Sequence, residues 1–177
     1  MTDLWTVHTA DLEAGVLTSA RALLDDAFDG DFSDHDWENA LGGMHTLVWE
    51  AGELIGHASL VQRRLLHDGR VLRTGYIEAV AVRSDHRRRG HGAAMMDALE
   101  RVLRKAYDLG ALSASDEAME FYASRGWLLW RGTSSAMTPT GIEATKEEDG
   151  SIHVLPVGVT LDLDGEITCD WRAGDVW

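Results

Sequence analysis

The 177-residue sequence holds one cysteine, Cys169, so no disulfide can form within the chain. Nowhere does it approach the roughly 18 consecutive apolar residues of a membrane-spanning helix. Its first residues, MTDLWTVHTADL, lack the basic-then-apolar order of an export signal. These absences predict a cytoplasmic protein without a membrane partner. Histidines stand at positions 8, 35, 45, 57, 67, 86, 91 and 153, scattered, with neither an HExxH motif nor a Cys/His cluster, so no metal site is expected. Basic residues are scarce, 16 against 30 acidic, for a net charge of −14. That balance disfavours nucleic acid, whose phosphates need a basic face. Two familiar phosphate motifs are missing too. There is no GxxxxGK[ST], and GHGAAM (90–95) lacks the third glycine or alanine of the dinucleotide fingerprint.

What is present fits one domain over residues 1–177, long enough to bury roughly 70% of the unfolded chain's surface. The acidity is concentrated. Residues 25–38, DDAFDGDFSDHDWE, carry seven acidic groups and no Lys or Arg, and residues 132–177 carry nine acidic and two basic; elsewhere the signs balance. Each segment reads as a solvated acidic surface, or, if the two fold together, as a site that focuses a polycation.

Periodicity predicts a mixed α/β order. LWTVH (4–8) reads as a strand and residues 11–28 as a helix, with Val16, Ala20, Leu23, Leu24 and Ala27 on one face. Ser33 suits the cap of a short helix, DHDWENAL. Three β-rich runs follow, 44–50, 54–66 and 71–82, with hairpin-like breaks that predict antiparallel pairing. A helix begins near Gly92, with Met96, Leu99, Leu103 and Ala106 as its stripe. A short strand ALSAS, a helix over DEAMEFYAS, the run WLLW, a polar loop over about 132–150 and a final β-rich run IHVLPVGVTLD complete the pattern.

One passage stands apart, DHRRRGHGAAMMDALERVL (85–103), where a strand feeds a turn rich in arginine and glycine and then a helix. Glycines admit close backbone approach, and the unpaired N–H groups of a helix start favour an anion. Arg87, Arg88 and Arg89 either add charge there or are simply solvated. Arg87-x-x-Gly90-x-Gly92 resembles the [QR]-x-x-G-x-[GA] signature of the Gcn5-related N-acetyltransferase (GNAT) superfamily. The resemblance implies a mixed, mostly antiparallel central sheet flanked by helices, with splayed fourth and fifth strands. It also implies acetyl-CoA as co-substrate, its pyrophosphate on the backbone of Arg87, Arg88, Arg89, Gly90, His91 and Gly92, and its pantetheine arm paired with Val80, Ala81 and Val82. The valines of that segment could equally be plain core.

Further stretches, GDFSDHDWENALGGMHTLVW, GYIEAVAV, YDLGALSAS, FYASRGWLLW and CDWRAGDVW, resemble the aminoglycoside 2′-N-acetyltransferases over nearly the whole chain. Acetyl transfer to an amine needs a neutral amine and a proton for the departing thiolate. Glu78 is the candidate base, directly or through water, although a lone Glu in a strand is ordinarily an ion-pair partner. Tyr122 is the candidate acid, although a tyrosine on an amphipathic helix is ordinarily core. For the acceptor the resemblance implies Asp31, Asp36, Glu78 and Ala79, then Ser113, Glu148 or Asp149, Asp175 and Trp177, whose α-carboxylate joins the set. It implies a homodimer as well. A cell-wall amino sugar or polyamine acceptor, or a non-catalytic polycation sensor, remains the alternative.

Overall fold

The structure is a computed structural model and describes residues 2–177. The chain forms two compact units, each assembled from two stretches: residues up to Val61 with Ile77–Val102, and Gln62–Tyr76 with Leu103–Trp177.

The first unit holds β1 (Thr2–His8), α1 (Ala14–Ala27), α2 (Asp34–Asn39), β2 (Met44–Glu50), the start of β3 (Glu53–His67), the end of β4 (Arg70–Val82) and most of α3 (His91–Ala106). β1 pairs antiparallel with β2 from Thr2↔Glu50 to His8↔Met44, and β2 pairs antiparallel with β3 with a register slip between Val48 and Trp49. Ala51 and Gly52 join β2 to β3 with both φ angles positive, 52° and 85°. Two positive φ values in a two-residue loop make the mirror-image turn whose twist matches the strands it joins. The β-rich runs at 44–50, 54–66 and 71–82 therefore fold as expected.

Spacing of three and four puts Ala20, Leu23 and Leu24 of α1 on its buried face. Ala20 and Leu23 pack with Leu47 and Leu54, while Leu24 packs with Phe32 and Ala81. Each fully buried leucine contributes about 2 kcal/mol of transfer free energy. Ser33 caps α2 in a reciprocal box: its hydroxyl accepts from the Asp36 amide at 3.2 Å, and Asp36 Oδ2 accepts from the Ser33 amide at 2.8 Å.

The second unit adds β5 (Leu109–Ser113), α4 (Met119–Ser124), β6 (Leu128–Leu129), β7 (Ser134–Thr138), β8 (Gly141–Ala144), β9 (Ile152–Pro156) and β10 (Ile167–Cys169). β4 pairs parallel with β5 over Thr74–Tyr76 and Leu109–Ala111, and β4 runs on to Val82 beyond the last pair. β9 lies antiparallel between β5 and β6. The end of β3 pairs antiparallel with β10, which pairs parallel with β7, and β8 closes a hairpin on β7. Trp127 and Trp130 are buried, and the Trp130 indole donates to Gly165 O at 3.0 Å. The sheet is mixed and mostly antiparallel, with helices as predicted.

Four expectations need correction. The stretch 132–150 is not a structureless loop: it contains β7, β8 and a 3-10 turn at Lys146–Glu148. The final β-rich run ends at Pro156, because Val157 and Gly158 turn away to donate their amides to Asp108 O. The strand placed at ALSAS starts two residues earlier, at Leu109, and the following helix starts at Met119. Ala106, on the last turn of α3, is exposed rather than part of the stripe, whereas Met95, Met96, Leu99 and Leu103 are buried.

Candidate active site

In the first unit the proposed cofactor residues lie on the second half of β4 and the turn that follows. Val82 is half-buried and Ala81 buried. The chain then enters a 3-10 turn, Ser84–His86, held by ion pairs on both sides. Arg83 reaches Glu53 at 2.6 Å and Asp85 at 2.8 Å, while His86 bridges Asp85 at 2.7 Å and Glu50 at 2.9 Å. Hydrogen bonds from Arg83 and His86 hold the Asp85 carboxyl well below the usual carboxylate range. Arg87 donates from Nε to Val82 O at 3.1 Å and Arg89 from Nη2 to Asp85 O at 2.8 Å, so both guanidiniums brace the turn. Arg88 is exposed.

Gly90 has φ 85°, a conformation that disfavours any side chain, and nothing lies within 4 Å of where its Cβ would be. Its carbonyl accepts the Ala94 amide at 3.0 Å, the first bond of the 16-residue α3. Gly90 is thus the capping residue, and the amides of His91, Gly92 and Ala93 have no acceptor within the helix. Backbone donors, the positive end of the helix and an open glycine cradle fit a diphosphate.

Glu78 and Ala79 precede this turn, both half-buried. Ala79 has φ 49°, which costs a non-glycine residue about 1 kcal/mol or more. Its carbonyl accepts from His57 Nδ1 at 2.8 Å, and the Glu78 carbonyl accepts from Ser59 Oγ at 3.4 Å. His57 Nε2 lies 3.0 Å from His45 Nδ1, and His45 Nε2 lies 2.7 Å from Thr9 Oγ1. Both imidazoles are buried, and desolvation pushes each down to about 4, so they are neutral near neutral pH.

The first acidic segment is partly committed to structure. Asp25 and Asp34 both pair with Arg21, at 2.8 and 3.0 Å. Asp36 uses Oδ2 in its capping box, leaving Oδ1 as the free edge, and Asp31 is exposed on the loop after α1.

In the second unit Ser113 and Glu148 are brought together, Ser113 Oγ donating to Glu148 Oε2 at 3.1 Å, with Ser151 Oγ bonded to the same oxygen at 3.0 Å. Asp149 Oδ1 accepts from both the amide and the hydroxyl of Ser134, at 3.0 and 2.8 Å. Thr145 Oγ1 donates to Ser134 Oγ at 2.8 Å, and the Trp177 indole donates to Thr145 Oγ1 at 2.9 Å. Trp177 is 4% exposed. The tail is therefore docked: Arg172 donates to Asp175 O at 2.6 Å and to a Trp177 main-chain oxygen at 2.8 Å, and Cys169 Sγ donates to Val176 O. The Asp175 side chain remains exposed. Tyr122 is buried on α4 against Phe121, Trp127 and His153, and burial pushes its phenol up to about 12.

Several acidic residues of 132–177 are committed to structure. Asp170 pairs with the buried Arg63 at 2.8 Å, Asp164 with Arg131 at 2.7 Å, and Glu166 accepts from Ser135 at 3.0 Å. Among the described residues no group of three or more His, Cys, Asp or Glu is placed to hold a metal ion, and no helix is long and apolar enough to cross a membrane.

Residues 11–127 match the acetyltransferase (GNAT) family. This chain is a member of that family. It is 56% identical over 175 residues to an aminoglycoside 2′-N-acetyltransferase of Mycolicibacterium fortuitum, a match covering 97% of this chain and 90% of that one. Among solved GNAT structures, the Escherichia coli protein YhbS in complex with CoA aligns with a TM-score of 0.63 at 16% identity, covering 95% of this chain and 89% of that one. Escherichia coli ElaA aligns with a TM-score of 0.62 at 20% identity, over 88% and 98%. At such identities these structures show the GNAT fold alone.

The sequence pattern missed the histidine pair, Ser134, Thr145 and Ser151. A signal existed for the histidines: His45 and His57 sit on paired strands, two positions apart in register, since His57 faces Leu47. That diagonal relation brings long or aromatic side chains on one face into contact.

Proposed function

We propose that this chain is an acetyl-CoA-dependent N-acetyltransferase that acetylates the 2′-amino group of aminoglycosides and so confers resistance to them. The observation that carries this reading is the 56% identity, across 97% of the chain, to a relative of that name. Two features of the structure support it. The Gly90 turn offers backbone donors fitting a diphosphate. Glu148 and Asp149 are each fixed by serine hydroxyls at one oxygen, leaving the other for an ammonium group. We also propose that both units work as one domain over 1–177, in a cytoplasmic homodimer.

Acetyl-CoA supplies the activated acyl group as a thioester. The amides of residues 87–92 hold its diphosphate and the main chain of Val80–Val82 pairs with its pantetheine arm. Glu78 takes the proton of the substrate ammonium, directly or through water, and Tyr122 donates to the departing sulfur. Its raised pKa keeps the phenol protonated near neutral pH, the form a donor needs. Asp31, Asp36, Ala79, Ser113, Glu148, Asp149, Asp175 and Trp177 hold the aminoglycoside.

The test is thiol release from acetyl-CoA with aminoglycosides bearing an amine or a hydroxyl at position 2′. Release only with the amine-bearing members supports the proposal. Equal release with both groups, or binding without release from any, overturns it.

A further inference from the structure

The mechanism leaves unused a pair of fully buried histidines whose ring nitrogens are all engaged. The direction of their hydrogen bonds follows from one end. Ala79 O can only accept, so the nitrogen 2.8 Å away, His57 Nδ1, carries the proton. A neutral ring has one proton, so His57 Nε2 accepts, and His45 Nδ1, 3.0 Å away, must donate. His45 Nε2 then accepts from Thr9 Oγ1 at 2.7 Å, and Thr9 Oγ1 accepts from the Gly42 amide at 2.9 Å. Every link has one permitted polarity, and the whole chain runs from the Gly42 amide to the Ala79 carbonyl.

What lies at that carbonyl matters. In a regular strand consecutive carbonyls point to opposite edges. Here the carbonyls of Glu78 and Ala79 both accept from side chains of β3, Ser59 and His57, because the left-handed Ala79 turns its own peptide over. No peptide bond is cis, so each N–H points opposite to the carbonyl of its own peptide. With Ala79 O fixed on His57, the Val80 N–H is aimed away from His57.

We propose that His57, backed by His45 and Thr9, is a positioning residue: it holds the Ala79–Val80 peptide over, and thereby sets the direction in which β4 offers the Val80 N–H to the thioester arm of the co-substrate. The proposal rests on the acetyltransferase reading for its catalytic consequence, but not for its geometry. Histidine suits this task because a rigid ring with a donor and an acceptor at opposite ends passes on orientation, which a flexible side chain cannot.

The experiment has two parts. Long-range ¹⁵N–¹H correlation spectra of the wild-type protein at pH 7.5, without co-substrate, report the tautomer of each histidine. Both His45 and His57 are expected as the Nδ1–H form, and an Nε2–H tautomer at His57 overturns the proposal. Then His57→Leu and His57→Asn are compared, the asparagine amide standing where Nδ1–H stood. His57→Leu should shift the Val80 backbone amide resonance and lower kcat about 10-fold, with KM for acetyl-CoA within about 2-fold, the scale expected for one lost hydrogen bond. His57→Asn should restore both to near wild type. A Val80 resonance and a kcat unchanged in His57→Leu refute the role, as does equal damage in both variants. If the wild type acetylates no amine, the function proposed above fails, while the tautomers and the Val80 resonance still decide the positioning. Should His57→Leu not fold, the wild-type tautomers decide it alone.

Discussion

Lowering the pH from 7 to 5 should destabilise this protein through His45 and His57 before its carboxylates begin to matter. Desolvation takes each histidine from an ordinary 6.5 to about 4 in the folded chain. The sign follows from proton counts. Between those values the unfolded chain binds protons that the folded chain refuses, so stability rises with pH and is lost on acidification. Full separation corresponds to about 1.4 kcal/mol per pH unit per histidine, and the drop from pH 7 to 5 to about 2 kcal/mol each. Together they approach the whole stability of a marginal domain, about 5–15 kcal/mol. Protonating His57 at Nε2 would also set two N–H donors face to face at 3.0 Å. The depressed carboxylates, Glu50, Asp85, Glu143 and Asp164, lose their contribution only below their unfolded values near 4, outside this window. The assay is urea unfolding at half-unit steps from pH 7.5 to 5, with the midpoint and the m-value followed separately. A steep fall in midpoint at constant m is expected, and His57→Asn should roughly halve the slope. A flat profile, or one identical in the variant, would refute the reasoning.

Three further outcomes test the site. Glu78→Gln should reduce turnover most at the acid end of the profile, where the amine carries its proton, and an unchanged pH profile removes Glu78 as base. Tyr122→Phe should lower kcat about 10²-fold or more while coenzyme A affinity by calorimetry stays within about 2-fold; wild-type turnover would dismiss it as acid. Trp177→Phe keeps the buried ring but removes the donor to Thr145, and should raise the aminoglycoside KM about 5-fold through the Ser134–Asp149 link, with KM for acetyl-CoA unchanged. Equal KM values in variant and wild type would break that link.

The parts of the fold that the sequence declares are those whose chemistry is local. The Asp68–Gly69 hairpin, the Ser33 cap and the Gly90 start of α3 each need a particular residue type at a particular backbone angle. The α1 stripe declares itself by spacing. By contrast β7, β8 and β10 are short, and β7 and β8 read as SSAMT and GIEA, polar enough to resemble the loop that joins them. β10 and β7 are strands because of partners far away in sequence, β10 joining β3 at Cys169↔Leu65 and β7 joining β10 at Ala136↔Cys169. The left-handed conformation of Ala79 was invisible for another reason. A left-handed residue usually announces itself as glycine, and here a β-branched, apolar strand pattern runs straight through it. What holds it over is His57, 22 residues upstream. Of the candidate site, the arginine- and glycine-rich turn before α3 and the acidic clusters were legible as motif and charge. Which carboxylates stay open and which are absorbed by Arg21, Arg63 and Arg131 depended on tertiary contacts.

For the proposed role of Glu148 and Asp149 in holding the acceptor, their anchoring by Ser113, Ser151 and Ser134 bears on selectivity. A carboxylate free to rotate greets any cation that arrives, and counts only its charge. One clamped at a single corner has a bearing as well as a sign, so a guest must bring its amines already set at matching angles. Amino groups fixed on a sugar ring meet that demand without loss of freedom, whereas a supple linear polyamine would have to surrender many rotations to do the same.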